Sequence, residues 1–371
     1  MVSLAAIGVL VLVLVLSALS GLACTTAAQT PVSHNPMSTV ASGGTTTASS
    51  VVTSSTTSPA SSTTSTIHGT SVIPSTTSVT PTTVPVVSTT EAVPKLPVSF
   101  DSARAMKHIK VLAAEIGIRP GGSKAEGKAV TYASEYLAGL GYEPITTEVP
   151  LPNGKTSHNV IATKRGASPL TVLVGAHLDT KRSTPGGNDD ASGSAVVLEL
   201  DRDFADADIT PTIVFVLFGQ EEIIDDNKNH HHYGSRNYVA NMTAREQKNL
   251  AAMISLDMIA YGDRFNARTM GKGPLELSDM LRGYARANEV KLVYLRDPGP
   301  SGWSDHEPFE LAGYPAVWLQ RLEDPEYHKA GDTYEHCKER LVRETGRLVH
   351  GFLTELSPED LETLHAAVRR Q

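Results

Sequence analysis

Two histidines and several carboxylates stand at the ends of apolar runs, where side chains able to hold a divalent cation would meet the edge of a core. The apolar run at residues 171–176 ends in His177-Leu178-Asp179. Residues two apart in an extended segment share a face, so His177 can ligate an ion while Asp179 orients its ring. Next comes the glycine-rich acidic turn Gly186-Gly187-Asn188-Asp189-Asp190-Ala191-Ser192-Gly193, which can aim one carboxylate inward. Asp190 or Ser192 also suits a helix N-cap, a role that leaves a second acidic residue unexplained. The run at 212–218 delivers Gly219-Gln220-Glu221-Glu222, and two adjacent carboxylates at the end of a buried segment need a cation or protons. Residues 253–256 lead into Asp257, and His328 follows Glu326-Tyr327 in a loop before Gly331-Asp332-Thr333. Mixed imidazole and carboxylate without thiolate favours zinc, with manganese or cobalt as substitutes, over copper or iron–sulfur. A free carboxylate next to a ligand points to hydrolysis: one Glu binds metal while its neighbour takes a proton from activated water.

Those residues need a scaffold that brings distant segments to one edge. Apolar runs of strand length occur at 159–162, 171–175, 212–218, 253–257, 291–294 and 316–319, separated by helical patterns at 192–204, 275–287 and 339–356. Ahead of them, Asp101 suits the N-cap of an amphipathic helix reaching Ile116, and a Gly/Pro loop at Arg119-Pro120-Gly121-Gly122 leads to a second helix ending near Leu140. Strands alternating with helices predict an α/β fold: a three-layer α/β/α domain with a mostly parallel, mixed central sheet. Ligands in such sheets collect beyond the carboxyl ends of the strands, where these runs deliver their His, Asp and Glu.

The rest of the chain is of another kind. Residues 1–24 open with an apolar run long enough for an export signal or an anchor, and Ser20-Gly21-Leu22-Ala23-Cys24 looks like a lipoprotein signal cleaved before the cysteine. A lipidated, a conventionally cleaved and an uncleaved leader all put the body outside the cytoplasm, with a membrane or cell-envelope tether in the first and last cases. Residues 25–96 are dominated by Ser, Thr, Val and Pro, a composition that builds no core and reads as an extended stalk. The body, 97–371, carries nearly all of the formal net charge of −8, which argues against nucleic acid as a partner. The two cysteines, Cys24 and Cys337, leave the body without an internal disulfide.

Taken in order, Ala176-His177-Leu178-Asp179-Thr180, Asn188-Asp189-Asp190-Ala191-Ser192-Gly193, Glu221-Glu222, Leu256-Asp257-Met258-Ile259 and Tyr327-His328-Lys329-Ala330-Gly331-Asp332-Thr333 resemble the motifs of the bridged di-zinc exopeptidases. That family includes bacterial secreted leucine-type aminopeptidases, glutamate carboxypeptidase II, the transferrin receptor and animal glutaminyl cyclases. The resemblance implies two Zn2+ per chain. His177 and Asp257 would complete one zinc site, Glu222 and His328 the other, and Asp189 would bridge them. It implies Glu221 as the general base that activates the bridging water, Tyr327 as the hydroxyl that stabilises the oxyanion, Asp179 as the residue orienting His177, and a cis peptide between Asp189 and Asp190. The expected substrates are peptides with a free N-terminus. A glutamate-releasing carboxypeptidase, with Arg264, Arg268 or Arg296 clamping a carboxylate, is the alternative, followed by cyclase chemistry and a non-catalytic binding protein. One departure from the family pattern is an insertion at 223–233 that carries His230-His231-His232, expected as a solvated loop with extra metal capture the lesser reading. His306, in a stretch resembling the family's pocket lining, is expected to support the ligands from behind or to be structural rather than a sixth ligand.

Overall fold

The computed structural model describes residues 99–369. The leader and stalk readings, at 1–24 and 25–96, lie outside the described residues. Asp101 caps the first helix by accepting the Arg104 N–H at 3.1 Å. That helix, α1 (Ser102–Ile109), continues through wider π-type turns at Lys110–Ile116 and ends at Gly117, whose φ of 75° turns the chain away. Ser123 caps α2 (Lys124–Gly139) through the Glu126 N–H at 3.1 Å. There follow β1 (Ile145–Pro150), β2 (Thr156–Lys164), β3 (Thr171–His177), α3 (Ser192–Phe204), β4 (Thr212–Phe218), α4 (Tyr233–Asn241), α5 (Ala244–Asn249), β5 (Leu250–Leu256) and β6 (Arg264–Thr269). The last third holds α6 (Glu276–Ala287), β7 (Val293–Arg296), α7 (His306–Leu311), β8 (Ala316–Leu322), α8 (Glu339–Glu355) and α9 (Pro358–Ala367). Among the described residues no helix is long and apolar enough to cross a membrane.

The strands make one eight-stranded sheet in the order β1-β2-β4-β3-β5-β8-β6-β7. Its centre, β4-β3-β5-β8, is parallel, while β2 joins β4 and β6 joins β8 antiparallel. The central strands read as nearly unbroken Val, Ile, Leu, Ala and Phe because both of their faces are covered. Alternation divides them between two cores. Val174, Ala176, Phe215, Leu217 and Ile254 pack with residues of α1, α2, α3, α6 and α8 on one side, and Leu173, Val216, Phe218 and Met253 pack with Tyr238 of α4 and Phe309 of α7 on the other. This is the mixed three-layer arrangement expected. Each fully buried Val, Leu, Ile or Phe side chain contributes about 1.5–3 kcal/mol, so the sheet and its two apolar layers are the main source of stability.

The sequence pattern leaves two strands unmarked. In β1 the pattern Ile-Thr-Thr-Glu-Val-Pro is that of an edge strand, with Ile145 exposed and Pro150 lacking the N–H of an interior strand. In β6, Phe265 and Ala267 are set among Arg, Asn and Thr, and the strand is identified by its antiparallel pairing with β8 rather than by an apolar run. The strand expected at 291–294 begins two residues later, at Val293.

Candidate metal centre

Every residue expected to ligate the ions or to act beside them sits at or just beyond the carboxyl end of one of the four central parallel strands, or on the turn that opens α3. His177 is the last residue of β3, Glu221 and Glu222 follow β4, Asp257 follows β5, and Tyr327 and His328 lie in the loop after β8. The turn before α3 adds Asp189, and the peptide between Asp189 and Asp190 is cis. Gln220, Met258 and His328 have φ of 46°, 57° and 59°, so three of these loops use the left-handed region for residues other than glycine.

The two oxygens of Asp189 face different histidines. Oδ1 lies 3.2 Å from His177 Nε2, and Oδ2 lies 3.2 Å from His328 Nε2. Asp257 Oδ1 is 3.9 Å from His177 Nε2, and Glu222 Oε2 is 3.3 Å from His328 Nε2. Two triads thus share one carboxylate: His177, Asp189 and Asp257, and Asp189, Glu222 and His328. In each triad, one donor atom per residue lies within 4.8 Å of the others. Asp257 Oδ1 and Glu222 Oε1 are buried without a hydrogen-bond partner. An acceptor left so in a core costs about 1–3 kcal/mol, more when charged, unless a cation compensates it. Imidazole and carboxylate donors with orphaned oxygens between them suit a pair of divalent ions.

The proton affinities show the same demand for positive charge. Burial opposes a charged His177, yet the carboxylates of Glu221, Asp179 and Asp189 outweigh it and raise its pKa well above the usual imidazole range. Burial pushes Asp257 up to about 7 against the pull of His177, with Asp189 adding repulsion. Glu221 is raised well above the usual carboxylate range, chiefly by burial, with His177 opposing and Glu222 reinforcing. Asp189 moves the other way, because its hydrogen bonds to His177 and His328 overcome its burial.

The neighbours of these groups fix their aim. Asp179 accepts the backbone N–H of Glu221 at 2.8 Å and of Glu222 at 3.3 Å while lying 3.4 Å from His177 Nδ1, so one carboxylate ties two strand ends together. Asp190 turns away from the centre and accepts the N–H of Gly193 at 2.7 Å and of His177 at 3.2 Å. Several contributors were not among the expected site residues. Asp332 accepts the Asn188 and Asp189 N–H groups at 2.6 and 3.1 Å, and Ser304 Oγ donates to Asp257 Oδ2 at 2.8 Å. The fully buried Arg119 donates to the carbonyls of Leu178, Pro185 and Gly186, clamping the His177 strand end to the Asp189 turn. Tyr327 stacks on His328 with ring centroids 3.7 Å apart and stays half exposed. His306 is fully buried with Nε2 3.5 Å from Asp297 and belongs to neither triad, in keeping with a structural role.

The insertion corrects an expectation. Residues 225–229 are exposed, but the chain then turns inward, and His231 and His232 are only 4% and 2% exposed. His232 Nε2 lies 2.9 Å from Glu221 Oε1, so the loop ends inside the centre rather than as a solvated arm. His232 takes a left-handed φ of 54° just before α4, and that turn drives its ring inward.

The family model for peptidase family M28 matches residues 159–353. Leupeptin-inactivating enzyme 1 of Streptomyces exfoliatus is 30% identical over 62% of this chain and 51% of its own length. The probable lipoprotein aminopeptidase LpqL of Mycobacterium tuberculosis is 29% identical over 48% of this chain and 41% of its own. The chain thus spans about half the length, or less, of these curated relatives. A solved zinc aminopeptidase from Bacillus subtilis superposes with a TM-score of 0.63 at 18% identity, over 71% of this chain and 96% of that one, which supports the fold.

Proposed function

The chain belongs to peptidase family M28, and from that premise we propose that it is an extracytoplasmic metallo-aminopeptidase that holds two zinc ions and removes single residues from peptide N-termini. The observation that carries this reading is the Asp189 carboxylate, with one oxygen toward His177 and the other toward His328. In this reading His177 and Asp257 hold one ion, Glu222 and His328 the other, and Asp189 both. When bound, zinc supplies Lewis acidity, polarising the scissile carbonyl and making water acidic enough to attack near neutral pH.

The remaining steps fall to the chain's own side chains. Glu221, beside the ligand Glu222 and with Oε1 2.9 Å from His232 Nε2, takes the proton of the attacking water and returns it to the amine as the C–N bond breaks. Tyr327 keeps its phenol proton at neutral pH, because partial burial and then the charges of Asp189, Glu222 and Glu221 raise its pKa, and it donates to the developing oxyanion. The concentration of carboxylates favours a cationic substrate amine. The arginines that could clamp a substrate carboxylate have partners of their own: Arg264 bonds Glu323, Arg268 bonds Asp297, and Arg296 donates to the Met270 carbonyl. This favours the aminopeptidase over the carboxypeptidase reading. Placement outside the cytoplasm rests on the leader at 1–24 and on the lipoprotein relative.

The test is hydrolysis by the full-length chain of unblocked aminoacyl-nitroanilides, their N-blocked counterparts and peptides ending in glutamate, with zinc and with chelator. Cleavage confined to unblocked substrates and lost with chelator is expected. Activity only on the glutamate peptides would move the chain to the carboxypeptidase reading.

A further inference from the structure

The inserted loop assembles a second set of ligands beside the first. His231, His232 and Glu307 are each less than 5% exposed, and one donor atom from each lies within 4.8 Å of the others. None belongs to the two triads. His232 Nε2 lies 2.9 Å from Glu221 Oε1, and with the ring proton on Nε2 facing that oxygen the Nδ1 lone pair stands on the opposite side of the ring. What Nδ1 meets is Glu307 Oε2 at 3.8 Å. This is an acceptor facing an acceptor, too far apart to share a proton and only a little wider than the roughly 3.3 Å between two ligands of tetrahedral zinc at bond lengths of about 2.0–2.1 Å. His231 Nδ1 and His232 Nδ1 are both buried without a hydrogen-bond partner. The two rings stand perpendicular, with centroids 4.0 Å apart. Glu307 is anchored by the Gly302 N–H on Oε2 at 2.6 Å and by Arg236 on Oε1 at 2.9 Å, so each oxygen keeps a lone pair free.

We propose that His231, His232 and Glu307 form a third divalent-cation site, suited to zinc or a similar borderline ion, separate from the bridged pair and joined to it through the contact of His232 with Glu221. Arg236 opposes the ion, because its guanidinium also lies 3.3 Å from His231 Nε2 and occupies that lone pair, placing the ring proton on Nδ1. Loading therefore requires the His231 ring proton to move to Nε2 and the arginine, whose side chain is 38% exposed, to turn outward. The third site is accordingly the weakest of the three.

The full-length chain, stripped and dialysed against rising Zn2+ or Co2+, should take up one equivalent more than His231→Ala or Glu307→Gln. The reading is that difference, so a failure of the two-ion centre would lower all three proteins together and leave the difference in place. Arg236→Gln, which removes a competing cation and no ligand, should tighten the last equivalent, a gain that a misfolded variant cannot imitate. Equal metal content at saturation in the wild type and His231→Ala overturns the proposal, as does an Arg236→Gln chain that loses the equivalent.

Discussion

Asp179 and Asp189 have the same side chain and opposite surroundings. Backbone N–H groups of Glu221 and Glu222 satisfy Asp179, whereas Asp189 has an imidazole nitrogen against each oxygen. The difference suits the first to orienting and the second to bridging, and it comes from position: Asp179 lies directly after β3 against the end of β4, and Asp189 lies on the turn that opens α3. Away from the centre, His108 gives a residue-scale prediction free of metal. It is buried in α1 with Nδ1 2.6 Å from the Tyr132 hydroxyl, and burial, helped by the charge of Arg104, lowers its pKa to about 4. Between pH 6.5 and 4 the unfolded chain therefore takes up a proton that the folded one refuses. Stability falls as pH drops through that window, by about 3 kcal/mol from this group, and falls no further on its account below it. In paired denaturant titrations His108→Gln should gain on the wild type by about that amount between pH 7 and pH 4. A constant gap across that range would contradict the assignment.

At the scale of elements, the proposed sharing of an ion by the Asp189 turn and Asp257 requires α3 to approach the end of β5 closely. Gly193 permits it: a Cβ there would meet the Leu256 carbonyl oxygen and lie 2.6 Å from Asp190 Oδ2. Gly193→Ala should cost about 1–3 kcal/mol in thermal or chemical unfolding by forcing helix and strand apart. It should lower metal affinity as well, and an unchanged melt would show that the contact is slack. The central strands were legible in the sequence because their burial is nearly uniform. Runs such as Thr-Ile-Val-Phe-Val-Leu-Phe in β4 are buried nearly throughout, and their ends delivered the chemical residues of the centre. What stayed hidden depends on partners rather than pattern. The edge strand β1 is half polar, β6 owes its place to pairing with β8, and Asp332, Ser304 and Arg119 act through hydrogen bonds to segments distant in the sequence. The inward turn of His231 and His232 was hidden because adjacent Asp, Asn and Lys mark the loop as polar, while its end is set by the left-handed backbone at His232.

For the molecule as a whole, stability and chemistry draw on separate parts. The central strands and the two apolar layers provide the fold, and the polar residues gather at one end of the sheet. Metal removal should therefore abolish activity while far-UV circular dichroism stays unchanged. The melting temperature should fall only by the binding energy lost, about 4 kcal/mol for an ion present at a thousand times its dissociation constant. Loss of the circular dichroism signal on chelation would make the metal part of the fold instead. In the proposed hydrolase site Glu221 moves the proton while its neighbours hold the ions. The most direct measurement is kcat of Glu221→Gln on an unblocked aminoacyl-nitroanilide, with its zinc content determined alongside. The account predicts a fall in kcat of at least about a hundredfold with the bound zinc unchanged. A variant that keeps wild-type kcat, or that loses activity only because it loses zinc, would contradict it.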